Sequence, residues 1–171
     1  LLNMAYNRSN SLVVILDNRT TAMTGMQDHP ATGVTLQGEK TRSVDIAALS
    51  GALGIDSVRK IDPFKIKETR AAIREELEKD GPSVIVSEAP CVFLLKGRTK
   101  PLKVDRDKCI GCKVCIGLNC PPISFKKYDE PIIRDGKKKI PGYSLIDPSL
   151  CSGCSLCQQL CPQRAIGEDT I

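Results

Sequence analysis

Residues 109–121 read Cys-Ile-Gly-Cys-Lys-Val-Cys-Ile-Gly-Leu-Asn-Cys-Pro, and residues 151–162 read Cys-Ser-Gly-Cys-Ser-Leu-Cys-Gln-Gln-Leu-Cys-Pro. Each stretch is a triplet of cysteines two residues apart, then a fourth cysteine and a proline. Asp105 and Asp147 stand four residues before the first cysteines, and Ile123 and Ile166 follow the fourth. The two units, 106–128 and 147–169, form an internal repeat. Three thiolates at this spacing wrap a loop around one [4Fe–4S] cubane, and the fourth, expected to start a helix pointing away, reaches the other cluster. The ligand sets predicted this way are Cys109, Cys112, Cys115 and Cys161 for one cluster, and Cys151, Cys154, Cys157 and Cys120 for the other. The first unit has four residues before its last cysteine where three are usual, so the path of Cys120 is its least regular feature. Gly111, Gly117, Ser152 and Gly153 leave room for backbone N–H groups near the sulfurs, which helps set a reduction potential.

Two other uses of cysteine fit less well. Structural zinc pairs two Cys-x-x-Cys units across a longer gap and needs only four ligands. Disulfides are usually spread along a small secreted domain, whereas eight of the nine cysteines here fall after residue 108. The ninth, Cys91 in Glu88-Ala89-Pro90-Cys91, stands apart at the end of a strand and reads as a small buried residue, with a ligand or nucleophile role as the alternative.

Charge follows the same division. Residues 1–90 hold 11 Lys and Arg against 12 Asp and Glu, and residues 91–171 hold 14 against 8. A basic half can serve nucleic acid, but two oxidised clusters, each carrying roughly two negative charges with its thiolates, account for it more simply. No nucleic-acid partner is expected. No run approaches the roughly 18 apolar residues of a membrane span, and no signal peptide opens the sequence, so a cytoplasmic location without a membrane partner is expected. Ile132–Leu145 has the pattern of a hairpin turning at Asp135-Gly136, an insertion expected on the surface of a two-fold core, and Lys137-Lys138-Lys139 reads as a solvated turn.

Upstream of a basic linker containing Gly97 and Pro101, strands alternate with helices. Ser11–Asp17 ends in an unbroken apolar run, the mark of a buried parallel strand. Residues 43–53 read as a helix stopped at Gly54, and Ser57–Ile61 as a strand. Asp62-Pro63 reads as an N-cap and first helical position for a helix running to about Lys79, with Ser83–Ser87 as the next strand. Leu1–Tyr6 resembles the last turns of a helix. The expected fold is a partial open parallel α/β sheet over residues 1–96, then a small α+β ferredoxin-like domain with two [4Fe–4S] clusters over 97–171.

Residues 18–42 form a loop longer than the roughly 12–15 residues usual for unstructured connections, and it leaves the carboxyl end of the first strand, where such sheets bind ligands. Asn18 and a nearby carbonyl are hard oxygen ligands suited to Mg²⁺ carried by a diphosphate. On these residues alone, a polar turn with an Asn cap is the better account.

The stretch ILDNRTTAMTGMQDHPATG, residues 15–33, together with the two cysteine units in the same order, resembles the alpha subunits of the indolepyruvate:ferredoxin oxidoreductases, within the thiamine-diphosphate-dependent 2-oxoacid:ferredoxin oxidoreductase family. The resemblance covers essentially the whole chain. It implies a thiamine diphosphate and Mg²⁺ site beside the clusters, with Asn18 binding Mg²⁺ through its side chain and Thr20 through its carbonyl. It also implies that Met23, Thr24 and Gly25 lie near the diphosphate and thiazolium. His29, otherwise a solvent-exposed loop histidine, acquires a site-facing role toward the substrate carboxylate or the cofactor.

The family pattern also has a Gly-Asp-(Gly/Ser) turn upstream whose Asp is a further Mg²⁺ ligand. No such turn occurs among the 17 residues before Asn18, so the chain is expected to be the C-terminal part of a longer alpha polypeptide, inactive alone. The implied reaction converts a 2-oxoacid, here an aryl pyruvate, with CoA and oxidised ferredoxin to acyl-CoA, CO₂ and reduced ferredoxin, with a smaller beta subunit completing the enzyme. Two alternatives stay open: an electron-transfer module without thiamine chemistry, and the same chemistry on phenylglyoxylate, pyruvate or another 2-oxoacid.

Overall fold

The computed structural model describes residues 1–95, 100–134 and 138–168. The chain divides into two compact units, Leu1–Leu95 and Lys96–Ile171.

In the first unit, strands β1 (Leu12–Asp17), β2 (Ser57–Ile61) and β3 (Ser83–Glu88) run parallel in the order β1-β3-β2. Leu12 and Ser57 both pair with Ser83, so the three strands start level. Their companions are helices α1 (Leu2–Tyr6), α2 (Ile46–Ala52) and α3 (Ile66–Leu77). Successive side chains of a strand face opposite sides. Val84 and Val86 of β3 pack with Ile55, Leu1 and Ala5 of the α1 segment, and Ile46 and Ala47 of α2. On the other side, Ser83 Oγ donates to the Glu76 carbonyl of α3 at 3.4 Å. Ser83–Ser87 is buried throughout. The fully buried parallel strand is therefore β3 and not β1, as the apolar run at 12–16 had suggested. β1 is an edge, with Val14 42% and Leu16 78% exposed.

Two helix starts also differ from expectation. Helix α2 begins at Ile46 because the Asp45 carboxylate accepts from the N–H groups of Ala47 and Ala48 at 2.9 and 3.1 Å, an N-cap that fixes the first turn. Asp62 caps no helix. Its carboxylate accepts from Phe64 N–H at 2.9 Å and closes a turn, leaving Lys65 as the N-cap of α3.

A buried carboxylate ties α3 to β2. Glu76, whose side chain has no exposure, accepts from Ser57 Oγ at 2.6 Å and Lys79 Nζ at 2.8 Å, with Arg59 at 3.5 Å. Burial alone would push this carboxyl up, but the bonds from Lys79 and Ser57 and the charges of Lys79 and Arg59 hold it below the ordinary glutamate value.

The second unit is built on the repeat. Strands β4 (Lys103–Val104) and β7 (Ile166–Gly167) pair antiparallel, as do β5 (Ile123–Arg134) and β6 (Lys138–Ile146); helix α4 is Leu156–Leu160. The strand entering each triplet thus pairs with the strand leaving the other. Asp105 N–H donates to the Ala165 carbonyl at 2.7 Å and Asp147 N–H to the Pro122 carbonyl at 2.9 Å, while the Asp105 and Asp147 carbonyls accept from Cys109 and Cys151 N–H at 3.0 and 3.1 Å. Each aspartate side chain closes its own turn, Asp105 on Asp107 and Lys108 N–H, Asp147 on Ser149 N–H. Leu102, Cys115, Cys157 and Ile166 form the core, flanked by Val104, Ile123 and Ile146.

The fourth cysteines do not open helices. The helical turns lie before them, over Ile116–Leu118 and in α4, and Cys161 is the C-terminal cap of α4 while Cys120 leads through two prolines into β5. Nor is the inserted hairpin merely peripheral. Ile140, Tyr143 and Ser144 of β6 are buried. Tyr143 packs against Tyr128 with ring centroids 5.3 Å apart and planes tilted by 41°, and the Arg106 guanidinium lies 4.5 Å over its ring. Arg134 of β5 donates to the carbonyls of Arg106, Asp107 and Cys109. The expected hairpin tip at Asp135-Gly136, Lys137 and the linker's Gly97 lie outside the described residues.

Candidate cluster sites and the loop after β1

The cysteines gather into two groups of four that cross the repeat. Cys109, Cys112 and Cys115 line one cavity with Cys161, together with Val104, Ile110, Ala165, Ile166 and Ser144. In the other group, burial and the neighbouring thiols of Cys154 and Cys151 push Cys120 above an ordinary thiol. Burial, with Cys154, Cys151 and Cys120 nearby, pushes Cys157 up to about 11. These mutual effects put Cys120, Cys151, Cys154 and Cys157 in one neighbourhood. Thiols held this far up bind as thiolates only when a metal centre's positive charge takes the proton's place, so loading such a site releases protons.

Among the described residues, no three His, Cys, Asp or Glu side chains converge on a point that a single ion would occupy. Tetrahedral zinc at about 2.3 Å from sulfur needs thiolates about 4 Å apart. Four thiols lining one apolar cavity suit a polynuclear cluster. Backbone N–H groups already reach the sulfurs: Gly153 donates to Cys151 Sγ at 3.4 Å and Ala165 to Cys161 Sγ at 3.2 Å. Gly111 has φ +66°, and a Cβ there would lie 2.5 Å from the Gly142 carbonyl oxygen, so only glycine lets the first loop rest on the hairpin.

Ser144, which the cysteine pattern does not single out, is 1% exposed, and Cys115 Sγ donates to its Oγ at 3.1 Å. Aligning the repeat on Asp105 and Asp147 would have drawn notice to it, because the matching residue of the first unit is Leu102.

In the first unit the loop after β1 is folded on itself by two isolated bridges, Thr21 with Gln27 and Val34 with Lys40. Asn18 Oδ1 accepts from Thr20 N–H at 3.2 Å, and the Asn18 carbonyl accepts from Cys91 N–H at 2.9 Å. Thr20 is buried, and its Oγ1 donates to the Gln27 carbonyl at 3.3 Å. Among the described residues no backbone donor is seen on the Thr20 carbonyl. That carbonyl and the Asn18 amide oxygen are of the kind that fits a hard cation.

Met23 and Thr24 lie in a single 3₁₀ turn closed at Gly25, with Met23 wholly exposed. Thr24 Oγ1 donates to Gln27 Oε1 at 2.7 Å. His29 is half-buried, and its Nδ1 accepts from Ala31 N–H at 3.2 Å, leaving Nε2 as the ring's second polar atom. Cys91 is also half-buried rather than a core residue. A charged network missed by sequence reasoning braces the loop's origin: Arg19, at φ +62°, bridges the buried Asp17 at 3.5 Å and Glu88 at 3.3 Å, and Lys60 reaches Glu88 at 3.5 Å and Asp45 at 3.1 Å.

The thiamine pyrophosphate enzyme family, through its C-terminal TPP-binding domain, matches residues 1–87. The chain belongs to that family. A 4Fe–4S dicluster domain matches residues 108–165 of this TPP enzyme chain. It is 40% identical over 170 residues to the indolepyruvate oxidoreductase subunit IorA of Pyrococcus horikoshii, covering 95% of the chain and 24% of that protein. The IorA subunits of Thermococcus kodakarensis and Methanothermobacter marburgensis match at 41% and 37% identity, over 95% and 97% of this chain and 24% and 25% of theirs. The chain therefore spans about a quarter of the length of the curated relatives it matches. No helix among its described residues is long and apolar enough to cross a membrane.

Proposed function

We propose that this chain is the cluster-bearing end, with part of the thiamine site, of an indolepyruvate-type 2-oxoacid:ferredoxin oxidoreductase. The observation that carries the reading is the union, in one chain, of a TPP-binding domain with eight cysteines gathered into two groups of four. The overall reaction takes an aryl pyruvate, CoA and two oxidised ferredoxins to acyl-CoA, CO₂, two reduced ferredoxins and a proton. When bound, thiamine diphosphate supplies a carbanion that makes loss of CO₂ possible, and the clusters supply single-electron steps for the pair of electrons released.

The chain's own residues bind and hold. Cys109, Cys112, Cys115 and Cys161 would ligate one cluster and Cys151, Cys154, Cys157 and Cys120 the other. Asn18 Oδ1 and the Thr20 carbonyl would hold Mg²⁺ and through it the diphosphate, bordered by Met23, Thr24 and Gly25. His29 would present Nε2 to the substrate carboxylate or the cofactor. Reading the molecule as two functional domains, 1–96 and 97–171, follows from the same division of labour. The rest of the alpha polypeptide and a smaller beta subunit would complete the site in the cytoplasm, and ferredoxin would collect the electrons.

The test uses the full-length protein purified without oxygen. It should bind thiamine diphosphate with Mg²⁺ and carry about eight irons and eight sulfides per chain. No binding of thiamine diphosphate leaves only an electron-transfer module, and four irons or zinc breaks the two-cluster assignment. Steady-state rates should favour indolepyruvate over phenylglyoxylate and pyruvate; a preference for pyruvate overturns the aryl assignment.

A further inference from the structure

The two cluster sites are built by a repeat, yet one is furnished differently from the other. Aligned on Asp105 and Asp147, the first unit places Leu102 where the second places Ser144. Both side chains are buried, Leu102 in the same core cluster as Cys157 and Ser144 against Cys115 Sγ at 3.1 Å. Ser144 also lines the cavity formed by Cys109, Cys112, Cys115 and Cys161. Among the described residues a backbone N–H meets a sulfur in both sites, Ala165 on Cys161 in this one and Gly153 on Cys151 in the other. The Ser144 hydroxyl is a further polar partner of a sulfur, and the matching position of the repeat gives it no counterpart, because leucine carries no polar group.

We propose that Ser144 makes the two clusters unequal, holding the one ligated by Cys109, Cys112, Cys115 and Cys161 at the higher reduction potential. The inference rests on the two-cluster reading above. In the thiol form Cys115 donates to Ser144. Once the sulfur has exchanged its proton for iron, the direction reverses and the Ser144 O–H donates to the thiolate. A hydrogen bond to a cluster thiolate draws off negative charge, and so stabilises the reduced, more negative state over the oxidised one. The bond is buried, where water does not compete with it. Electrons delivered to the pair would settle preferentially on this cluster. Ser144 is a positioning residue for charge and not a ligand.

The experiment is a potentiometric titration of the full-length, anaerobically purified protein followed by electron paramagnetic resonance, with iron and sulfide measured on each sample. Ser144→Ala should keep about eight irons and lower only the higher midpoint, by the equivalent of roughly tenfold in the reduction equilibrium, about 59 mV for one electron. Ser144→Thr keeps the hydroxyl and should restore it. Midpoints that stay in place, or two that fall together, overturn the assignment. Should Ser144→Ala shed its iron, the native protein carries the test: solvent deuteration should perturb the spectrum of the more easily reduced cluster more than that of the other, and equal perturbation overturns it. A native protein without two clusters fails the underlying reading instead, which the iron analysis reports separately.

Discussion

Replacing Gly142 with alanine tests whether the hairpin supports the first cluster loop. Gly142 sits in β6 opposite Lys127 of β5. A Cβ at this position would fall well inside contact distance of the Lys126 carbonyl oxygen, 2.8 Å from Lys127 Cα and 3.0 Å from the Lys126 carbonyl carbon. All three are backbone atoms that cannot swing aside, and carbon atoms pack at about 3.5–4.0 Å. Strand β6 must therefore retreat by roughly 1 Å. Its retreat moves the Gly142 carbonyl, whose oxygen already lies 2.5 Å from where a Cβ on Gly111 would stand, so the Gly111 loop has no slack to follow it. Overpacking of this kind costs about 1–3 kcal/mol, and a weakened ladder hydrogen bond adds roughly 1 kcal/mol. A total of about 2–4 kcal/mol is a large part of the 5–15 kcal/mol typical of a domain. The assay is chelator challenge of the anaerobically purified protein, following iron release, beside denaturant unfolding of the same samples. Gly142→Ala should release iron at least tenfold faster and unfold at lower denaturant. Release and unfolding indistinguishable from the native protein would refute the claim that hairpin and loop are packed as one piece.

Arg134→Ala removes the side chain that bonds the carbonyls of Arg106, Asp107 and Cys109. It should loosen the loop entering the first triplet by about 1–2 kcal/mol and speed loss of half the iron. Arg134→Lys should not restore retention, since an ammonium cannot span three carbonyls as a guanidinium does. Uniform release from both clusters would contradict this. Glu76→Gln should cost about 1–3 kcal/mol locally, through loss of a buried charged acceptor. The cost is tempered because Lys79 and Arg59 are partly solvated. Because the folded carboxyl lies below its unfolded value, Glu76 contributes fully above roughly pH 4.5 and its contribution is lost as pH falls through the folded pKa. Hydrogen exchange of the β3 amides should show that acid-side loss in the native protein and a smaller one in Glu76→Gln; equal pH dependence would show that Glu76 is not the group responsible.

Spacing carried much of what was legible, because ligand chemistry constrains spacing. The triplets and the places of Asp105 and Asp147 before them could be written down from the repeat, while the turns that these aspartates close were seen only in the structure. The strands of the first unit were legible from their apolar runs, but their order was not. β1 and β3 have similar composition, and which one lies in the middle depends on partners far along the chain. Asp62 misled because an aspartate before proline caps a turn as readily as a helix, and the hydrogen bond to Phe64 N–H chose the turn. Asp45 set the start of α2 later than that of the expected helix, its carboxylate meeting the Ala47 and Ala48 N–H groups. Ser144 was invisible to a reading that looked for ligands, because a hydroxyl acts on a cluster through one sulfur and leaves no spacing rule behind.

The crossing of the repeat has a consequence for the order of synthesis. Cys109, Cys112 and Cys115 leave the ribosome well before Cys161, which closes their cavity, and Cys120 waits for the whole second triplet. Neither half can finish a site while the other is still being translated. A chain cut short after the hairpin would hold three of the four proposed ligands of one site and one of the other. On the proposed ligand sets, one cluster lacks a thiolate until Cys157 has been made and the other until Cys161, so the assembly of both waits on the second half of the repeat.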